Sequence, residues 1–184
     1  LYDEDRWPSG SAGGLVTREH PEFRAKHLLF TTTPYAPDAK PEMTYIRQSA
    51  LERTHNGKLI ACYDVILDEN GCLLSGKRIA ADAQAEGTKW YVYLETAPET
   101  PWFNYTAYVD VLSKEAMQKF VEITHERYKE VVGDAFGTVA PAIFTDEPQH
   151  CFKQTLGFAT EQKDVLMTWT TDLPDTYREV YGED

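Results

Sequence analysis

Ala142-Ile143-Phe144-Thr145-Asp146-Glu147-Pro148 reads as a buried apolar strand that ends in two adjacent carboxylates and a proline. An apolar strand that carries an acid to its C-terminal tip is how (β/α)8-barrel hydrolases present a catalytic acid. The preceding residues extend the pattern. Ser113 suits a helix N-cap, and Met117, Phe120, Val121, Thr124, Tyr128 and Val131 recur at helical spacing over 114–132. Gly133 falls where a C′ glycine stops a helix, and the strand is expected over 138–144. An earlier strand is expected at 105–111, ending in Asp110. Strand, crossover helix and parallel strand make a right-handed βαβ unit.

Working outward, residues 1–15 open with a strand stub and pass into a Gly/Ser/Pro loop. Residues 17–27 suit one short helix or an extended crossing. From 27 to 96 the texture is β, with strands expected at 27–33, 44–52, 58–67, 72–79 and 89–95. Asn56-Gly57 and Asn70-Gly71 are hairpin-turn signals between them. A Pro-rich boundary follows at 97–104, and a last helix begins at Leu173, with Asp172 as its cap. The fold class expected is α/β: a partial TIM-type (β/α) barrel segment built from 1–20 and 101–184. A small antiparallel β domain is inserted at 21–100. A whole barrel takes about 250 residues, so the 184 residues are expected to be a segment of a longer polypeptide, as is the start at Leu1.

Composition narrows the partners. At 42% hydrophobic and 26% charged, the chain reads as globular rather than disordered. Its net charge is −12 and its Lys and Arg are scattered, which argues against nucleic acid. No apolar run approaches the ~20 residues that span a membrane. Of the three cysteines, Cys62 and Cys72 flank the turn at 68–71, but pairing places Cys72 opposite 67–69. Cys62, Cys72 and Cys151 therefore read as free thiols, which favours a reducing, cytoplasmic setting. There is no Cys-x-x-Cys, no phosphate loop and no Gly-x-Ser-x-Gly.

Four blocks resemble a group of bacterial glycoside hydrolases that includes the α-L-rhamnosidase type. They are Leu1-Tyr2-Asp3-Glu4-Asp5-Arg6-Trp7-Pro8-Ser9-Gly10 with Ala12-Gly13-Gly14; Tyr108-Val109-Asp110-Val111-Leu112-Ser113-Lys114-Glu115-Ala116; Thr124-His125-Glu126-Arg127-Tyr128; and Phe144-Thr145-Asp146-Glu147-Pro148. Their order and separation fit, and together they cover about a quarter of the chain. The resemblance implies a (β/α)8 catalytic domain in the parent protein and hydrolysis of a glycosidic bond. It does not name the sugar.

That chemistry needs one carboxylic acid to protonate the leaving oxygen and a second carboxylate as nucleophile or base. Glu147 is the first choice for the acid. Asp-Glu-Pro resembles the Asn-Glu-Pro strand end of many retaining barrel glycosidases; the plain alternative is that Asp146 and Glu147 cap a turn. Glu4 is the candidate second carboxylate, slightly ahead of Asp3, since only one of two successive strand residues faces the site. Asp3, Asp146, Asp110 and His150 are candidate substrate contacts, with helix capping equally open to Asp110 and plain exposure to His150. Trp7 is the aromatic expected to stack on a sugar face; Trp102 and Trp169 lie in neighbouring loops, and Trp90 reads as core. Glu126 falls opposite the buried helix stripe and His125 at its edge. No cofactor or metal is expected; carboxylates and carbonyls suit Ca²⁺, but no EF-hand spacing occurs. The alternative function is a non-catalytic carbohydrate-binding or scaffold fragment. The expected partners are carbohydrate, the remainder of the parent polypeptide and, because half a barrel leaves edges uncovered, a second copy. Sedimentation tests that last point: self-association is expected, and a monomer with a sharp thermal transition contradicts it.

Overall fold

In a computed structural model, residues 1–36, 53–150 and 153–182 are described. The strand expected at 44–52 and Cys151 lie outside the described residues. Among the described residues five strands form: β1 (Lys26–Thr31), β2 (Lys58–Leu67), β3 (Leu73–Ile79), β4 (Thr88–Thr96) and β5 (Val165–Trp169). They make one sheet in the order β3-β2-β4-β1-β5, and every neighbouring pair is antiparallel.

The turn at Asn70-Gly71 forms for a local reason. Asp68 Oδ1 accepts the N–H groups of Asn70 and Cys72, each at 2.8 Å. Gly71 takes a φ of +78°, which a residue without Cβ adopts freely. Cys62 pairs with Ile79 and Tyr91, away from Cys72, and both thiols are free.

The partial (β/α)-barrel is overturned. In its place stands a single antiparallel sheet with few helices. The 138–144 run is no ladder strand: it makes isolated parallel bridges only, Tyr2 with Phe144 and Phe136 with Ala140. Its apolar residues are not buried, with Val139 at 89% and Phe144 at 59% exposure. Short apolar runs lack the periodicity that separates a buried strand from an extended segment. Residues 106–110 are buried, but they too make only isolated bridges, Thr106 to Thr100 and Val109 to Arg24. The fifth strand of the sheet comes from Val165–Trp169, where the expectation for Trp169 is a loop.

Among the described residues there are four α-helices: α1 (Leu15–Glu19), α2 (Lys114–Ile123), α3 (His125–Val132) and α4 (Leu173–Tyr181). Ser113 caps α2 through a bond from Ala116 N to its hydroxyl, 3.3 Å. The single helix expected over 114–132 divides at Thr124. Its hydroxyl donates back to Phe120 O at 2.7 Å, a contact that bends helices. Gly133 has helical angles (φ −57°) and opens a 3₁₀ turn, so it is not the left-handed stop expected of it.

Two apolar cores result. Ala12, Val16, Val109, Ala116 and Phe120 pack α1 and α2 against the 106–110 segment. Gly14, at φ +76°, lies so close to Thr106 that a Cβ there would sit 2.2 Å from Thr106 Cγ2. The second core is on the sheet: Leu29, Tyr93 and Leu166 are cross-strand neighbours on β1, β4 and β5. Each such side chain contributes about 1.5–3 kcal/mol by leaving water.

Beside that core a carboxylate is fully buried. Glu95, with 0% exposure, sits opposite His27 across the β1–β4 pair. His27 Nε2 donates to its Oε2 at 2.7 Å, Tyr35 donates to Oε1, and Thr54 N reaches both oxygens at 3.1 Å. Burial pushes this carboxyl up, but the bonds from His27, Tyr35 and Thr54 outweigh it and hold it below its ordinary value. Burial, followed by the Glu95 bond, pushes the Tyr35 phenol up.

Glu95→Ala takes the acceptor from two buried donors, on His27 and Thr54, and from the half-buried Tyr35 hydroxyl, and about 3–5 kcal/mol of stability is expected to be lost in chemical denaturation. The carboxyl is more acidic folded than unfolded. Its contribution is therefore present above the ordinary value of 4.5 and lost as pH falls through the folded value. A Tm–pH profile is expected to decline on the acid side of 4.5, and Glu95→Gln to flatten that limb.

Candidate functional site

The first ten residues lie alongside 142–147. Asp3 N donates to Phe144 O at 3.2 Å and Phe144 N to Leu1 O at 2.9 Å. Ser9 grips the next residue twice, its N–H donating to Asp146 O (2.9 Å) and its hydroxyl accepting from Asp146 N (2.8 Å). Tyr108 fastens Ser9 in turn, since its hydroxyl donates to Ser9 O and accepts Gln149 N at 3.0 Å. Burial pushes the Tyr108 phenol up to about 12, so it stays a donor at neutral pH. Held this way, Glu147 adopts a φ of +41°, a region that non-glycine residues enter only when their surroundings compel it.

This backbone arrangement gathers carboxylates from two distant stretches. Glu147 is exposed, and its Oε2 accepts the indole N–H of Trp7 at 3.1 Å. Trp7 is 36% exposed and is itself anchored, its carbonyl accepting from Trp102 Nε1 at 2.6 Å. The Arg6 guanidinium lies 6.0 Å over the Trp102 ring. Tyr2 joins the other two acids: its hydroxyl bonds to Glu4 Oε2 and lies 3.1 Å from Asp146 Oδ2. The bond to Glu4, followed by burial and the bond to Asp146, pushes the Tyr2 phenol above its ordinary value.

Asp3 and Glu4 divide as strand alternation requires. Asp3 is buried at 6% and Glu4 half-buried. Asp3 Oδ2 accepts from Thr145 Oγ1 (2.7 Å) and from His125 Nε2 (2.8 Å). Its other oxygen is buried and has no hydrogen-bond partner among the described residues. The remaining candidates bond elsewhere. Asp110, 3% exposed, accepts from Leu112 N (3.1 Å) and Thr170 Oγ1 (2.9 Å) and lies 3.7 Å from Lys26 Nζ. His150 Nδ1 is 3.3 Å from Thr168 Oγ1 on β5.

Sequence reasoning missed Tyr2, Ser9, Thr145 and the part played by His125. Tyr2 was within reach, because residues two apart on an extended segment share a face with Glu4. His125 was hidden by the break at Thr124, which starts a new helix at this residue. Glu126 is exposed and pairs with Lys129 at 3.2 Å. Among the described residues no group of three or more His, Cys, Asp or Glu side chains is placed to hold a metal ion. No helix among them is long and apolar enough to cross a membrane.

Comparison with protein-family models, with curated proteins and with solved structures found no match.

The Tyr2 bridge can be read directly. Carbon-13 NMR of ring-labelled tyrosine is expected to show a phenol ionising above the ordinary 10.0, absent in Tyr2→Phe. Glu4→Gln is expected to bring it back toward that value. An unchanged Tyr2 titration in Glu4→Gln contradicts the bridge.

Proposed function

We propose that this chain carries carboxylates of a glycoside hydrolase acting on an oligosaccharide or polysaccharide. Glu147 is the general acid and Glu4 the second carboxylate. Asp146 and Asp3 are bound up with their placement, and Trp7 is the stacking surface. One observation carries the reading: the Trp7 indole N–H bonds to Glu147 Oε2 at 3.1 Å. It places a partly exposed aromatic ring directly beside an exposed carboxylate, and sugars present both apolar C–H faces and hydroxyls to such a pair. A second observation supports it. Glu4 and Asp146, from segments far apart in sequence, meet on the Tyr2 hydroxyl. The four sequence blocks that resemble glycoside hydrolases supply most of these residues: Tyr2, Glu4 and Trp7 from the first, Asp146 and Glu147 from the last. The reading rests on these side chains and motifs and needs no barrel.

In this mechanism the Glu147 carboxyl protonates the departing glycosidic oxygen, and a carboxylate across the sugar ring stabilises or attacks the cationic centre. The test is Glu147→Gln in the full chain, assayed on a panel of aryl glycosides and oligosaccharides. Turnover is expected to fall about 10²–10⁴-fold, the usual contribution of a general acid, with the thermal transition unchanged. Wild-type turnover in the variant overturns the assignment. Sugar binding by a wild-type chain that never hydrolyses supports the non-catalytic carbohydrate-binding reading instead.

A further inference from the structure

We propose that Asp3, braced by His125, is a positioning residue for Glu147: it fixes Thr145 and thereby holds the Glu147 carboxylate against Trp7. The sequence reading treated Asp3 as a candidate substrate contact; its surroundings give it different work. The Asp3 side chain has no exposure, whereas that of His125 is 29% exposed. One Asp3 oxygen takes both available donors, Thr145 Oγ1 at 2.7 Å and His125 Nε2 at 2.8 Å. A buried carboxylate is costly unless paired and hydrogen-bonded, so both donors are held firmly. His125 is itself seated, with its ring edge-on to Phe120 at 5.8 Å, and Phe120 belongs to the α1–α2 core. The chain of contacts runs from that core through His125 and Asp3 to Thr145.

Thr145 lies two residues before Glu147. Between them, Asp146 is clamped by Ser9 on both its N–H and its carbonyl. Side-chain bonds at 145 and backbone bonds at 146 therefore act on consecutive residues, and the positive φ of Glu147 follows immediately. A non-glycine residue keeps such a conformation only where its surroundings over-determine it. The Asp3–Thr145 bond joins an exposed side chain, Thr145, to a buried one, Asp3.

The importance of this bond for chemistry rests on Glu147 acting as the acid; the bond itself can be tested without activity. The Trp7 indole N–H is the reporter, because it donates to Glu147. In the ¹H–¹⁵N spectrum of the full chain, Trp7→Phe identifies its resonance, and Glu147→Ala sets the position it takes when the acceptor is gone. Thr145→Val keeps the shape and removes the hydroxyl; it is expected to move the Trp7 resonance toward the Glu147→Ala position. Thr145→Ser restores the hydroxyl and is expected to leave the resonance at its wild-type position. His125→Ala is expected to move it in the same direction as Thr145→Val, and His125→Gln, which keeps a donor, to move it less. A Trp7 resonance unmoved in Thr145→Val overturns the proposal, as does an equal movement in Thr145→Ser. If instead the Trp7 resonance moves as expected while Glu147→Gln retains full hydrolysis, the positioning stands and the acid assignment fails.

Discussion

A carboxylate withdrawn wholly from water must be compensated where it stands, and Glu95 imposes that demand on the centre of the sheet. Its compensation is drawn from three separate places: His27 across the strand pair, the Tyr35 hydroxyl, and the backbone of Thr54. The same Tyr35 stacks on Tyr93 with ring centroids 4.0 Å apart, so the polar clasp and the apolar core share a member. Close by, Arg53 forks onto Asp164 at 2.6 and 2.7 Å, immediately before β5. That fork matches planar guanidinium to planar carboxylate and sets the start of the strand. The sheet is thus organised as much by where its charges are paired as by where its leucines meet.

The candidate site is built on different means. It belongs to no ladder and to no single element. The segment holding Asp3, Glu4, Trp7 and Ser9 is laid against residues 142–147 by a few specific bonds, and it is backed by the helical core through His125 and Tyr108. Glu147 is exposed and Glu4 half-buried, while Asp3, Ser9 and Tyr108 behind them are buried. This division suits a binding site, because preorganisation comes from the groups behind it and access from the groups in front.

The hairpin strands were legible in the sequence because their signals are local. The run at 58–67, an Asn-Gly turn and the run at 89–95 correspond to β2, the Asp68 turn and β4. Ser113 and Leu173–Tyr181 were legible for the same reason. What misled was the apolar run at 138–144, where hydrophobicity alone suggested burial and the βαβ logic then carried the whole barrel. Val165–Trp169 is the shorter apolar run, yet it is the one that pairs, because β1 offers it an edge and Leu166 a place beside Leu29. Pro141 marks the difference in the sequence, since proline gives a ladder no N–H, and the partner strand then decides which run pairs. Of the residues named for the site, Glu147 meets Trp7, and Glu4 and Asp146 meet on the Tyr2 hydroxyl. The buried Glu95 and His27 went unnoticed because a charged residue in a strand reads as solvent-facing until its partners across the sheet are known.

The two ends of the sheet are unequal. Beyond β5 the chain returns and Gln154 bridges to Leu166, so that edge is occupied. β3 is a terminal strand among the described residues, and it carries Leu73 and Leu74, each 66% exposed. Its remaining defence is Lys77 and Arg78, charges of the kind that keep exposed strand edges from adding another strand. On a chain of net charge −12 these two cations also sit in an acidic background. Among the described residues this edge sets two exposed leucines beside two cations, and salt that screens Lys77 and Arg78 weakens the charge that keeps such an edge from adding a strand.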